Sequence, residues 1–592
     1  MDILDKIVQI KNPILILAGP GSGKTYTMAY KLKYLVEVQK INPDEICVIT
    51  FTNEAAINMR KKISSKSNER IYIREELQPL TICTMHKLGN RIIKDNYSEA
   101  GLERANFKIL ASSDLKNILM MDCAQILGAK RQDANNTILC RQNGECNPTE
   151  SFKCKLCNEY ANLLRRFNYI DHDDQILLAC KLLKDNKDIL NCEQNKAKYL
   201  LVDEYQDINY AQWELIKLLD KGKAENLFVV GDDYQSIYSF RGGNPKYIQN
   251  FKNDYAPNAV VLNLTKNYRC PPNILKGAFY MVQKYNGGDI DILDKIEFKK
   301  ESDVLIKISH FQHSNIEADF IADQIKKIGV SYNSLILIPT FYYAASIKCA
   351  LRKRFIDFSC SYNIKNTDLY LISILLKWLK YPSDNFNFRL LLERMINEKE
   401  ISGISTGQRG IALKQISDFW QEIESGKTLY QKIKTLKGDK LFKKLVETII
   451  FFKKAYKGEE SIVFISLLIE KLKIWQNVSA FSKEIGSIIE EIEGLTMPGE
   501  CNVRVMTMNK AKGLEADYVF IVGLENNILP REGSDGKEDS RLFYVSMTRA
   551  KKELHLLYSD IRNRNITKVQ IDGKSEFIDA IPDQYKVDFV KG

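Results

Sequence analysis

The stretch AGPGSGKT, residues 18–25, has the glycines, lysine and hydroxyl of a phosphate-binding loop in order. Glycines free backbone N–H groups to wrap phosphate oxygens at a helix N-terminus. Ala18, Gly19, Pro20, Gly21, Ser22 and Gly23 would form the wrap, Lys24 would reach the β- and γ-phosphates, and the Thr25 hydroxyl would ligate Mg²⁺. LLVDEYQD, residues 200–207, ends an apolar run in adjacent carboxylates. Asp203 would hold Mg²⁺ through water, and Glu204 would take a proton from an attacking water. In FVVGDDYQSIYSFRGG, residues 228–243, Gln235 is placed to touch a γ-phosphate. Tyr238, Phe240 and Arg241 follow it, aromatic faces beside a cation, as in single-strand stacking platforms. Arg269 in LTKNYRCPP and Arg549 in LFYVSMTRAKKEL would be charge-stabilising fingers. The chemistry expected is nucleoside triphosphate hydrolysis, with Mg²⁺.

CRQNGECNPTESFKCKLC, residues 140–157, points to a second chemistry by setting Cys140, Cys146, Cys154 and Cys157 within eighteen positions. Cys154 and Cys157 form a C-x₂-C knuckle, and Cys140 with Cys146 a looser second half. Structural Zn²⁺ is the first expectation; an iron–sulfur cluster and unligated thiols are the other readings. Four thiolates fill a tetrahedral shell and leave no open position, so such a metal would not be the catalyst.

These residues need elements to hold them. ILILA (14–18), ICVIT (46–50), LTICT (80–84), YLLVD (199–203), LFVVG (227–231) and VVLNL (260–264) read as buried strands between amphipathic helices. Continuous apolar strands alternating with helices predict a parallel sheet covered on both faces. VLIKIS (304–309), LILIP (335–339), VRVMT (503–507), YVFIVG (518–523) and LHLLY (554–558) predict a second. Helical sequence interrupts each set. The division expected is 1–103 plus 196–262 for the first α/β unit and 104–195 for its insertion, which carries the cysteines. The second unit would be 263–372 plus 495–592, with a helical accessory insertion at 373–494.

At 592 residues the chain exceeds a single core. Its net charge of +11, from 86 basic and 75 acidic residues, is compatible with a polyanionic partner. No apolar run approaches the roughly 18 residues of a membrane helix, so no membrane partner is expected. The opening residues are not read as a signal peptide. Thirteen cysteines without one point to a reducing cytoplasmic setting.

Eight stretches now line up: AGPGSGKT, TFTNEAA (50–56), CTMHKLGNRII (83–93), LLVDEYQD, VVGDDYQSIYSFRGG, LTKNYRCPPNIL, VMTMNKAKGLEADYVFIVGL and LFYVSMTRAKK. In this order they resemble the motif set of the superfamily 1 UvrD/Rep/PcrA-type DNA helicases, from residue 18 to 552. The resemblance implies two RecA-like P-loop motor domains with parallel sheets, each interrupted by a mainly helical insertion. It implies an ATP-dependent 3′–5′ helicase or translocase on single-stranded DNA and ss/ds junctions, in repair, recombination or replication, with a loading or repair protein as partner. A translocase that does not unwind, or a nucleotide-binding subunit of a repair or defence complex, is the alternative. By the same resemblance, Tyr268 would stack on adenine and Glu515 would contact the ribose or polar end of the nucleotide. Phe51, Thr52, Asn53, His86, Tyr238 and Phe240 fall on DNA-contacting positions, and Arg241 and Asn509 join them.

The sequence departs from that family in three places. Ile3 stands where relatives place an adenine-reading glutamine, and Gln9 is out of step. Stacking by Tyr26, often arginine in relatives, and by Tyr268 would then carry more of base binding, with weak discrimination of ATP from GTP. Asn509 replaces a common histidine and keeps a donor without titrating near neutral pH. Phe240 replaces a common tryptophan and keeps a π-face.

Overall fold

The computed structural model describes residues 3–360 and 501–590 apart from short internal stretches, the longest being 135–151. Cys140, Cys146, Phe240, Arg241 and the accessory insertion expected at 373–494 lie outside the described residues.

The six runs expected as the first sheet all form strands: β1 (Ile14–Ala18), β2 (Ile46–Thr50), β3 (Thr81–Thr84), β6 (Tyr199–Val202), β7 (Leu227–Gly231) and β8 (Val260–Leu264). They pair in the order β3-β2-β6-β7-β1-β8, every pair parallel. Successive side chains point to opposite faces of a strand, and both faces here are apolar. On one face Ile14, Ile16, Val48, Leu201 and Phe228 pack against α1 (Ile3–Gln9), α2 (Lys24–Lys33) and α3 (Asn53–Ser64). On the other, Leu15, Ile49, Leu200, Val202 and Val229 pack against α4 (Met85–Asp95) and the helices Asp174–Asp185 and Tyr210–Leu219. Because all strands run one way, their C-terminal ends share one edge, and the loops leaving that edge carry the candidate chemistry.

The second sheet comprises β11 (Ile306–His313), β12 (Ser334–Ile338), β13 (Ser359–Cys360), β14 (Val503–Thr507), β15 (Ala516–Ile521), β16 (Ala550–Arg564) and β18 (Lys586–Val590). Their order is β13-β14-β12-β15-β16-β11-β18, with β17 (Thr567–Gln570) antiparallel on β16. Two small parallel pairs lie apart: β4 (Lys108–Leu110) with β5 (Tyr169–Asp171), and β9 (Lys266–Asn267) with β10 (Glu297–Phe298). A buried ion cluster ties the second sheet to its surroundings. The Arg562 guanidinium on β16 donates to both Glu317 carboxylate oxygens at 2.7 Å and to Glu525 at 2.5–2.9 Å.

The stretch expected as one insertion, 104–195, contributes to two cores. Ile170, Ile176, Leu178, Ala179, Cys180, Leu182 and Leu183 join the first sheet's core. Leu115 and Leu119 on α5 (Ser113–Ile126) form a small separate core with Leu156, Tyr160 and Leu163 on the helix Phe152–Arg166. The expected C-x₂-C knuckle is a helical turn rather than a loop: Cys154 and Cys157 are buried near the start of that helix. Their three-residue spacing continues an apolar stripe through Tyr160 and Leu163, which makes the segment helical.

Candidate nucleotide and nucleic-acid site

The phosphate loop leaves β1 at Ala18 and enters α2 at Lys24. Gly21 and Gly23 take φ of +74° and +92°, a region side chains rarely enter. At Gly21 a side chain would also collide, because a Cβ there would lie 2.5 Å from the Cβ of Arg269. That closeness reflects direct support from the chain that follows β8. Asn267 Nδ2 donates to the Pro20 carbonyl at 2.6 Å, and the Tyr268 N–H donates to the Gly21 carbonyl at 2.9 Å. The Lys24 ammonium is buried, has no hydrogen-bond acceptor among the described residues, and stands 4.0 Å from Glu204 Oε2. A buried cation short of acceptors fits the arrival of phosphate oxygens. Thr25 is the second residue of α2, beside it.

Asp203 follows the last residue of β6, and its N–H donates to the Ile49 carbonyl. Its Oδ1 accepts from the Glu204 N–H at 2.9 Å. Burial, then the neighbouring Glu204 charge, pushes the Asp203 carboxyl above its ordinary range. A bound divalent cation would relieve that, so the residues present fit Mg²⁺. Glu204 takes φ of +52°, a conformation that costs a non-glycine residue about 1–3 kcal/mol and clusters at functional sites. Burial opposes its charge, but Lys24, Lys512 and a 2.5 Å hydrogen bond from Gln206 Nε2 outweigh that and hold Glu204 ionised. Gln235 is buried in the turn after β7, where its Nε2 donates to Asp232 Oδ2 at 2.7 Å.

The fingers face this cluster from the other half of the chain. Arg269 Nε donates to Glu515 Oε2 at 2.9 Å, and Lys551 stands 3.5 Å from the same carboxylate. Arg549 is fully buried and donates to the carbonyls of Val545 and Leu514 at 2.7 and 3.2 Å. Burial, then the nearby Arg269 charge, brings its pKa down to about 10. Tyr268 is half exposed, with the Lys266 and Lys299 ammonium groups about 6 Å from its ring centre. Tyr26 stacks on Tyr30 at 6.5 Å, and Tyr30 donates to Asp5 on α1. Ile3, exposed at the start of α1, has no polar atom to read a base.

Lys512 was missed by motif reading and is the centre of the arrangement. Its buried ammonium donates to Asp207 and to the Gln235 carbonyl, and lies 4.0 Å from Glu204 Oε2. The same ammonium is 5.2 Å from the ring centre of Tyr238. Tyr238 stacks on Phe51 at 5.0 Å and donates through its hydroxyl to the Asn509 carbonyl at 3.3 Å. Thr52 caps α3, Asn53 opens it, and both are exposed beside Phe51. His86 lies on α4, edge-on to His172 at 5.7 Å. Lys62 on α3 was also missed. It is exposed by surface area, but partial desolvation beside the cleft lowers its pKa, and the charges of Glu515, Asp203 and Arg269 reach it. The only sequence signal for Lys512 was its place three residues before Glu515; Lys62 had none.

Residues 2–256 match the family model described as the UvrD/REP helicase N-terminal domain, and residues 411–560 that of the UvrD-like helicase C-terminal domain. The chain is 30% identical to the ATP-dependent DNA helicase Rep of Buchnera aphidicola subsp. Acyrthosiphon pisum (strain APS), over 93% of each chain. It is 28% identical to the ATP-dependent DNA helicase PcrA of Bacillus subtilis (strain 168), over 96% of this chain and 84% of that one. The probable DNA helicase II homolog of Mycoplasma capricolum subsp. capricolum (strain California kid / ATCC 27343 / NCTC 10154) is also 28% identical, over 94% and 83%.

Proposed function

The chain belongs to the UvrD/Rep helicase family, and on that premise we propose how its own residues drive an ATP-dependent DNA helicase. It moves 3′ to 5′ on single-stranded DNA and parts the strands at ss/ds junctions. The motor halves are 1–103 plus 196–262, to which the helix Asp174–Asp185 adds its apolar face, and 263–372 plus 495–592, each with its insertion. The observation that carries the reading is Lys512, one ammonium touching both the hydrolytic cluster and Tyr238.

The phosphate loop holds the nucleotide, with the acceptor-poor Lys24 ammonium on its terminal phosphates. Thr25 and Asp203 would hold Mg²⁺, which when bound would supply neutralisation of phosphoryl charge. Glu204, kept ionised by its lysines, takes the proton of the attacking water. Gln235 exchanges its hydrogen bond to Asp232 for one to the γ-phosphate. Arg269 leaves Glu515, Arg549 turns from its carbonyl acceptors, and both stabilise the transferred charge. Tyr26 and Tyr268 stack on the base, and Glu515, freed of Arg269, meets the ribose. Phe51, Thr52, Asn53, His86 and Tyr238 grip the strand, and loss of the γ-phosphate releases the bridge between halves.

Purified protein tests this through ATPase rates with single-stranded DNA, duplex and RNA. Single-stranded DNA should stimulate most, salt should suppress the stimulation, and Glu204→Gln should lose about three orders of magnitude. Equal stimulation by RNA, or an unaffected Glu204→Gln, would sink the reading. Strand separation of a forked duplex, with and without cell extract, reveals any need for a loading partner. No described helix is long and apolar enough to cross a membrane, and the reading places the motor with DNA in the cytoplasm.

For the four cysteines the reading is a structural Zn²⁺ site, supported by Cys154 and Cys157 sharing a helix face. Among the described residues no group of three or more His, Cys, Asp or Glu side chains could hold a metal. Elemental analysis of purified protein decides: a colourless protein without zinc removes the metal altogether.

A further inference from the structure

The three strands that deliver the hydrolytic residues also have N-terminal ends, and those ends open into a cavity. Ile14 of β1, Tyr199 of β6 and Phe228 of β7 line a space of about 500 Å³ on the edge opposite the phosphate loop. A volume of 300–1,000 Å³ is typical of small-ligand sites. The floor is apolar, made by Ile14, Leu35 and Phe228. Its charged lining residues are all lysines, namely Lys11, Lys31 and Lys198, with no carboxylate. Glu45 approaches only Lys198, at 3.4 Å.

Lys31 distinguishes this cavity from a packing gap. It is 7% exposed, and its ammonium donates to the carbonyls of Val8 and Ile10 at 2.6 and 3.2 Å. An ammonium has three donors, so these bonds leave capacity for one more. The same group lies 5.8 Å from the Phe228 ring centre and 5.9 Å from that of Tyr34. Burial lowers its pKa to about 8, a cost that an anion beside it would offset. Lys31 and Leu35 belong to one continuous rod: α2 begins at the catalytic Lys24 and passes into a π-helical turn, Tyr34–Val38, at the cavity wall. Such turns are rare and often mark functional sites.

We propose that this cavity binds an anion carried on an aromatic or bulky apolar body, and that occupancy alters ATP hydrolysis through α2 and the three shared strands. The anion meets the lysines while the apolar body covers Ile14, Leu35 and Phe228. Such a ligand could be a free aromatic acid or the acidic, aromatic terminus of a partner chain. The full-length protein, saturated with ADP to fill the nucleotide cleft, is titrated with two probes. The first is 8-anilinonaphthalene-1-sulfonate, followed by its fluorescence. The second is a fluorescein-labelled peptide ending Asp-Phe-Glu, followed by anisotropy.

Asn12→Trp, which plugs the mouth, and the pair Lys11→Glu with Lys198→Glu should each weaken binding about tenfold. All three are exposed positions, and melting curves confirm folding. Whichever probe shows this loss identifies the source of the ligand. No binding of either probe, or binding unchanged by both variants, would overturn the site. The bound probe should also change kcat for ATP about twofold or more, and an unchanged kcat overturns the coupling. That last readout rests on the ATPase reading, whereas the titrations do not, so the two can fail separately.

Discussion

At the scale of single residues, the hydrolytic groups were legible because their spacing is local. Lys24 and Thr25 follow glycines that only a phosphate loop requires, and Asp203 and Glu204 end a strand. Lys512 was not legible, since its partner Asp207 is 305 positions away and a lysine beside a glycine is commonplace. The geometry makes it more than a filler. It stands as close to Glu204 as Lys24 does, 4.0 Å from the same oxygen, and the same group faces the Tyr238 ring. Lys512→Ala should therefore lower DNA-stimulated kcat by about tenfold or more while KM for ATP stays within about threefold. Steady-state kinetics at saturating single-stranded DNA checks it, and a change confined to KM would assign Lys512 to nucleotide binding instead. Ile3 predicts the opposite kind of effect, on specificity. With no base-reading amide at the start of α1, kcat/KM for GTP should come within about tenfold of that for ATP. A large ATP preference would mean that another polar group reads the base edge.

At the scale of elements, strands buried on both faces were read closely. Residues 14–18, 46–50, 227–231, 260–264 and 503–507 begin and end where expected. The strands missed are short or peripheral. β13 has two residues, and β18 lies at an edge with Val587 and Phe589 partly exposed, so neither presents a continuous apolar run. Two elements carry predictions. In the phosphate loop, Gly21→Ala should weaken ATP binding by about tenfold or more. The new methyl must displace Arg269 and its loop as well as take a positive φ. Nucleotide titration should show the loss, while a melting curve near wild type shows the sheet intact. In the second sheet, Arg562→Met removes the guanidinium that bonds both Glu317 and Glu525 and leaves two buried carboxylates without it. Removing one partner of a buried ion cluster costs about 3–5 kcal/mol, so a clear fall in denaturant midpoint is expected. An unchanged midpoint would mean that water or another cation reaches the site.

At the scale of the whole molecule, two parallel sheets and their connecting loops were foreseeable from the rhythm of apolar runs, but the joints between them were not. Joints depend on pairs such as Asn267 with Pro20, Tyr238 with Asn509 and Lys512 with Asp207, each more than 240 positions apart. No local pattern encodes such a pair. These separations carry a consequence for how the protein is made. A chain synthesised from its N-terminus completes the phosphate loop, its acids and the Asn267 prop by about residue 270, and domains generally fold as they emerge. Lys512, Glu515 and Arg549 leave the ribosome some 240–280 residues later, on the order of ten seconds or more at ordinary synthesis rates. A nascent chain thus holds the phosphate loop and both acids well before it owns Lys512 and Arg549, which complete the site from the second sheet.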